Sequence, residues 1–235
     1  MISPWEMIND CDMEINKKKI LRITQYVIIG GFALLLLTVC TVLMGKGIQT
    51  ITRSKSHALC VYEDMNRLKY ENIKYELVTS IDDYIQTVAP HSSLNGLAIV
   101  DNCLKYNMDV CFVLAQGQNE SQFGTTGLAR KTNSVFNVLA FDGHKFEDIH
   151  ERGKYKYPDE SIEPYMELLQ KDYLVNGKTE FDLMHKYVNK QGKRYASSET
   201  YESALKNTYL KIKNTTKIDS LSQELQKYKL ILGIE

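Results

Sequence analysis

The chain has 235 residues, 25% of them charged and 43% hydrophobic, which suffices for one ordinary domain with accessory segments. Its 29 basic and 29 acidic side chains cancel, so no whole-chain positive field exists to hold nucleic acid. The asymmetry lies in hydropathy.

Residues 1–22 are followed by an uncharged stretch from Ile23 to Gly45, mostly Val, Ile, Leu and Phe from Tyr26 onward. That length allows a helix to cross a hydrocarbon layer of about 30 Å. No Ala-x-Ala-like site occurs in Val42-Leu43-Met44-Gly45-Lys46, and a long, largely polar segment precedes the span. The span therefore reads as an uncleaved signal anchor, a single transmembrane helix over 23–45 in contact with lipid. Lys17, Lys18, Lys19 and Arg22 before it, against Lys46, Arg53 and Lys55 after it, favour a cytoplasmic amino terminus and an extracytoplasmic remainder.

Residues 46–90 read as a helical stalk. Leu59, Tyr62, Leu68, Ile73 and Leu77 recur irregularly among polar residues, which fits a solvated spacer and leaves self-association open. Pro90 interrupts the helix, so a catalytic domain is expected over 91–214. Ser92 or Ser93 can cap a helix with Leu94, Leu97, Ala98, Val100 and Leu104 on its buried face, and Asp109 can cap the next. Lys145 to His150, a turn at Glu151-Arg152-Gly153, and Lys154 to Tyr157 suggest a small β-hairpin. Ser161 can cap a helix with Tyr165, Leu168, Leu169 and Tyr173 as its apolar stripe. Short helices over Phe181–Tyr187 and Glu199–Ile212 and an amphipathic tail over 215–235 complete the chain.

Five cysteines, Cys11, Cys40, Cys60, Cys103 and Cys111, show no Cys-x-x-Cys spacing. Cys103 and Cys111 flank the loop Asn107-Met108-Asp109, where a disulfide competes with the commoner state of two small buried side chains. His144 and His150 lack a third ligand at useful spacing, so neither a metal nor a cofactor is expected.

The chemistry concentrates at Glu120, where the apolar helix Phe112-Val113-Leu114-Ala115-Gln116 ends in one carboxylate followed by a turn-forming segment. Partial desolvation favours the neutral carboxyl, which can then donate a proton to a leaving oxygen. The local string also fits a solvated glutamate in a last helical turn. Four blocks in order decide between these readings: Glu120-Ser121-Gln122-Phe123-Gly124-Thr125 with Gly127-Leu128-Ala129; Asn133-Ser134-Val135-Phe136-Asn137-Val138; Tyr157 with Asp159-Glu160-Ser161-Ile162-Glu163-Pro164-Tyr165; and Gly192-Lys193-Arg194-Tyr195-Ala196-Ser197 with Tyr201. Together, over Leu94 to Ile212, they resemble the glucosaminidase family's Glu-Ser-Gly-Trp-Gly, Asn-Asn-Leu-Phe-Gly-Ile, Tyr…Ser-Ile…Tyr and Gly-Tyr-Ala-Thr-Asp-Pro-x-Tyr. The wording is also similar to copies carried by bacteriophage virions. Gln122 and Asn137 stand where the family has glycine, and Phe123 where it has tryptophan.

This resemblance implies a mainly α, lysozyme-like α+β domain with a small hairpin lobe. It implies peptidoglycan glycan strands as substrate, cleaved at the β-1,4 bond between N-acetylglucosamine and N-acetylmuramic acid, with Glu120 as general acid. Tyr195 would sit beside the reacting sugar, and Phe136, Asn133, Gln116 and Tyr157 would line the substrate site. Glu147 and Glu151, on one face of the expected hairpin, are the candidates for a second carboxylate, and the substrate's acetamido group is the alternative. A lytic transglycosylase or muramidase of the same fold, and a degenerate domain that only binds glycan, are the competing readings.

Overall fold

The structure is a computed structural model that describes residues 30–31, 48–139, 145–185, 192 and 194–234. The chain divides into two compact units, residues 1–62 and 63–235. No helix among the described residues is long and apolar enough to cross a membrane. The span expected over 23–45 lies, apart from Gly30 and Gly31, outside the described residues, as does the segment 1–22.

Helix α1, Ile48–Val88, is a spacer only in part. Met65, Leu68 and Tyr75 are exposed, whereas Tyr70, Leu77, Ile81, Tyr84 and Ile85 recur at helical spacing and belong to the same core as the helices that follow. The expected stalk therefore ends in a helix packed into the second unit. Helix α2, Gly96–Tyr106, is capped by Asn95, whose side chain accepts the Leu97 N–H at 2.8 Å, and not by Ser92 or Ser93. The Ser92 hydroxyl instead donates to Phe123 O at 2.7 Å. Gly96 is required at the start of α2, because a Cβ would lie 2.7 Å from Asp82 Oδ1 and 2.9 Å from Val78 O. Ile99, Val100 and Cys103 face the core, while Leu97 points outward.

Helix α3, Val110–Ser121, begins at Asp109, whose carboxylate accepts the Phe112 N–H at 2.8 Å as its position predicts. Every residue from Val110 to Gly117 is buried, so α3 is the central helix and presents no solvent face along that length. Cys103 and Cys111 are buried free thiols, and burial pushes the Cys111 thiol up to about 12.

A short helix α4, Ala129–Thr132, leads into the lobe. The hairpin expected over 145–157 is replaced by two 3-10 turns, Phe146–Asp148 and Glu151–Gly153, and no β-strand occurs among the described residues. Local hydrogen bonds explain the difference. Asp148 accepts the Lys145 N–H at 2.8 Å, and His150 Nδ1 accepts the Arg152 N–H at 3.1 Å, so side chains satisfy the amides that a strand ladder would use.

Ser161 does not cap α5, Ile162–Leu168. Its buried hydroxyl donates to Pro158 O at 2.7 Å and accepts the Val135 N–H at 3.1 Å, joining α5 to the segment before the lobe. The helix continues as a π-turn, Leu169–Tyr173, and the helix expected from Phe181 is a 3-10 turn, Glu180–Met184. Helix α6, Tyr201–Thr215, buries Leu205, Tyr209 and Ile212, and α7, Ile218–Leu232, buries Ile218, Leu221 and Leu225. The tail thus packs on the domain, with Ile231 exposed. Helix α3 is packed by α2, α6 and α7, which fixes its last turn and the carboxylate there.

Candidate active site

The turn after α3 is held from three directions. Ser121 donates its hydroxyl to Val135 O at 2.6 Å and accepts the Gly124 N–H at 2.7 Å. Gln122 adopts the left-handed conformation, φ 46°, and its N–H closes the helix onto Gln118 O. Phe123 is also left-handed, φ 55°, and its buried ring meets Tyr84 edge-on at 6.2 Å. That ring lies 3.2 Å from where a Cβ on Gly117 would be, so the glycine in α3 makes room for it. Two non-glycine residues in this region of φ carry strain, which the surrounding hydrogen bonds and burial offset.

Glu120 projects from this anchored turn into a cluster of phenols. Tyr201, the first residue of α6, donates its hydroxyl to Glu120 Oε1 at 2.5 Å. Gln116, one turn earlier on α3 and fully buried, donates its amide to the Tyr201 oxygen at 3.0 Å. Tyr165 of α5 donates to Gln116 Oε1 and stacks flat on Phe136, with ring centroids 3.8 Å apart and planes 9° from parallel. Tyr195 lies between Tyr201 and Tyr173, at 5.6 and 5.2 Å. The two residues flanking this pair are themselves joined: Arg194 binds Glu202 through Nε at 3.0 Å and Nη2 at 2.6 Å. This bidentate ion pair ties the segment carrying Tyr195 to the helix carrying Tyr201.

Burial is the largest influence on the Glu120 carboxyl and raises it above the ordinary carboxylate range. Hydrogen bonds from Tyr201 and Asn137 oppose that rise. No charged side chain among the described residues contributes. Burial likewise pushes the hydroxyls of Tyr165, Tyr195 and Tyr201 well up, so all three remain neutral donors. Such surroundings favour the neutral carboxyl more than water does.

Asn137 was legible in sequence only as a departure from glycine. It occupies φ 51°, a conformation that asparagine tolerates, and its side-chain amide donates to Glu120 O at 2.9 Å. Tyr201 and Tyr165 are visible as the last tyrosines of their blocks; the first bonds Glu120 directly and the second is linked to it through Gln116 and Tyr201. Of the expected substrate residues, Gln116 and Phe136 are buried and act on tyrosines. Asn133 holds the lobe, donating to Tyr155 O at 3.0 Å and Lys156 O at 3.1 Å. Tyr157 is exposed, with Lys156 Nζ 5.1 Å from the centre of its ring. Glu147 and Glu151 are exposed on the lobe, with Glu151 paired to Lys154 at 2.9 Å and held below the usual carboxylate range by that lysine. The lobe packs back through Gly153, where a Cβ would lie 3.1 Å from Val138 O, next to Asn137. A separate depression of about 520 Å³, lined by residues that include His91, Arg130 and Asn133, contains neither Glu120 nor the tyrosines.

The sequence model of the glucosaminidase family, described as mannosyl-glycoprotein endo-beta-N-acetylglucosaminidase, matches residues 97–214. The chain belongs to the glucosaminidase family. The matched range opens inside α2 and closes inside α6, so it holds Glu120, Asn137, Tyr165, Tyr195 and Tyr201 together. None of the curated proteins compared matches the chain. As a glucosaminidase, it is a glycoside hydrolase acting on peptidoglycan.

Proposed function

We propose that this glucosaminidase cleaves the β-1,4 bond between N-acetylglucosamine and N-acetylmuramic acid, with Glu120 as the general acid. The observation that carries the reading is a raised carboxyl, half-buried at a helix end and hydrogen-bonded only by neutral groups among the described residues. Glu120 protonates the glycosidic oxygen as the C1–O bond breaks, and the positive charge developing on the sugar ring must be met from the other side.

No described carboxylate lies close enough to influence Glu120. That supports a distant base or assistance by the substrate's acetamido group over a close carboxylate nucleophile. Of the two acids on the lobe, Glu151 is kept ionised by Lys154 and is assigned the base role ahead of Glu147. Tyr195, between two further tyrosines, presents a hydroxyl and a ring edge to the sugar. The apolar stretch over 23–45 is assigned to a membrane anchor that holds the enzyme at the wall.

Mass analysis of digested peptidoglycan tests the reaction. Reducing N-acetylglucosamine ends are expected. Anhydro-sugar ends would establish a lytic transglycosylase, and reducing N-acetylmuramic acid ends a muramidase.

A further inference from the structure

Two oxygens of Glu120 can carry the catalytic proton, and the buried chain of hydrogen bonds distinguishes them. Tyr165 O–H reaches Gln116 Oε1, Gln116 Nε2–H reaches the Tyr201 oxygen, and Tyr201 O–H reaches Glu120 Oε1. Directions along the chain are fixed in the ionised state, which the proton transfer leaves behind. An ionised Glu120 needs a donor at Oε1, and the single Tyr201 proton supplies it. Tyr201 therefore cannot also donate to Gln116, so Gln116 must present its N–H₂ to Tyr201 and its carbonyl to Tyr165. Reversing the amide would leave two acceptors facing each other in a buried site.

We propose that Tyr201 is a positioning residue that, braced by Gln116 and Tyr165, confines the catalytic proton to Oε2 of Glu120 and receives the negative charge at Oε1 when that proton leaves. The inference rests on Glu120 being the general acid. A proton on Oε1 would turn the Tyr201 hydrogen toward Gln116 and require that buried amide to reverse. On Oε2 it leaves the chain intact. In the step itself the Oε2–H bond breaks, hydrogen bonds to the glycosidic oxygen, and the C1–O electron pair passes to that oxygen. The carboxylate left behind is shared between both oxygens, so the Tyr201 hydrogen bond strengthens as the reaction proceeds. An interaction stronger in the transition state than in the ground state raises kcat more than it changes KM.

The groups facing Glu120 are Tyr201 from α6, Tyr195 from the segment before it, Asn137 from the loop after α4, and, through Gln116, Tyr165 from α5. No lysine, arginine, histidine or second carboxylate among the described residues acts on it. Removing the Tyr201 hydroxyl therefore has a signed consequence. The carboxylate loses a donor, Glu120 holds its proton to higher pH, and the basic limb of the activity profile moves up.

The test compares Tyr201→Phe, Gln116→Leu and Glu120→Gln in the full-length chain on purified peptidoglycan across pH. For Tyr201→Phe, kcat is expected to fall roughly ten- to a hundredfold with KM little changed, and the basic limb to rise by about one pH unit. Gln116→Leu, which removes the brace but keeps the hydroxyl, should shift the limb the same way by less. Titration of the Glu120 carboxyl carbon by NMR gives the same comparison without turnover, and its midpoint should rise in both variants. An unmoved limb and midpoint would overturn the assignment of Tyr201, even if kcat fell, since a purely structural loss leaves both in place. Retained turnover in Glu120→Gln would overturn the general-acid reading and this inference with it; an inactive Glu120→Gln beside an unmoved Tyr201→Phe profile would overturn the inference alone.

Discussion

Glu120 and Glu151 are the same side chain in opposite surroundings. The first lies at the end of a helix buried along most of its length, among phenols and amides, and its carboxyl is raised by burial. The second stands on a lobe of 3-10 turns, open to water beside Lys154, and its carboxyl is lowered. One fold thereby pushes one carboxyl up and the other down through their surroundings alone. Precision differs as well. The environment of Glu120 is set by four segments tied through Ser121, Gln116, Asn137 and the Arg194–Glu202 pair, whereas Glu151 depends on a single local ion pair.

The largest expected effect comes from erasing the raised acid. Glu120→Gln should lower turnover of purified peptidoglycan by roughly 10²- to 10⁴-fold, while retaining the size and polarity of the side chain. The sign of its effect on stability is opposite. With the folded carboxyl raised, stability falls as pH rises from the ordinary carboxylate range through the raised value, because ionisation is harder in the folded chain. Glutamine has no such loss, so the variant should melt higher than the wild type at neutral pH; a lower melting temperature would contradict the burial account.

Next in size is Phe136→Ala, which removes the ring stacked on Tyr165 and should cost about 3–5 kcal/mol in chemical denaturation. Activity should fall alongside, since Tyr165 orients Gln116. Tyr195→Phe removes one hydroxyl while leaving the ring contacts with Tyr173 and Tyr201, and should reduce turnover by a factor of about 5 to 100 with an unchanged melting temperature. The smallest structural effect belongs to Glu151→Gln. Its melting temperature should match the wild type because the side chain is exposed. If it is the distant base, turnover should drop about tenfold or more and azide should restore part of it. A near-native rate would leave the acetamido group of the substrate as the second participant.

Much of this arrangement was legible in the chain, and the parts that were not share a cause. Asp109 as a cap, the apolar run of α3 and Glu120 at its end are local features, set by spacing and by which side chain can reach a nearby amide. The order of the four blocks carried the family, because a sequence pattern survives without knowledge of contacts. The lobe and two of the serines depart from their sequence patterns. Alternating residues in 145–157 satisfy a strand pattern, but Asp148 and His150 close local turns first. Ser92 and Ser161 have good capping chemistry, yet Ser92 donates to Phe123 O, and Ser161 donates to Pro158 O and accepts the Val135 N–H. The same holds for Gln116, expected from the resemblance at the substrate site, whose complete burial makes it a brace.

What the sequence by itself determined is thus the helix that delivers the acid, the family and the kinds of residues around the site. Only the tertiary structure decided that Tyr201 bonds the Glu120 carboxylate, that Asn137 bonds its backbone carbonyl, that Tyr165 is linked to it through Gln116 and Tyr201, and that the second half of α1 belongs to the core. The physical reason is that periodicity and capping act over a few residues, whereas desolvation and hydrogen-bond direction at Glu120 are set by neighbours up to 81 positions away.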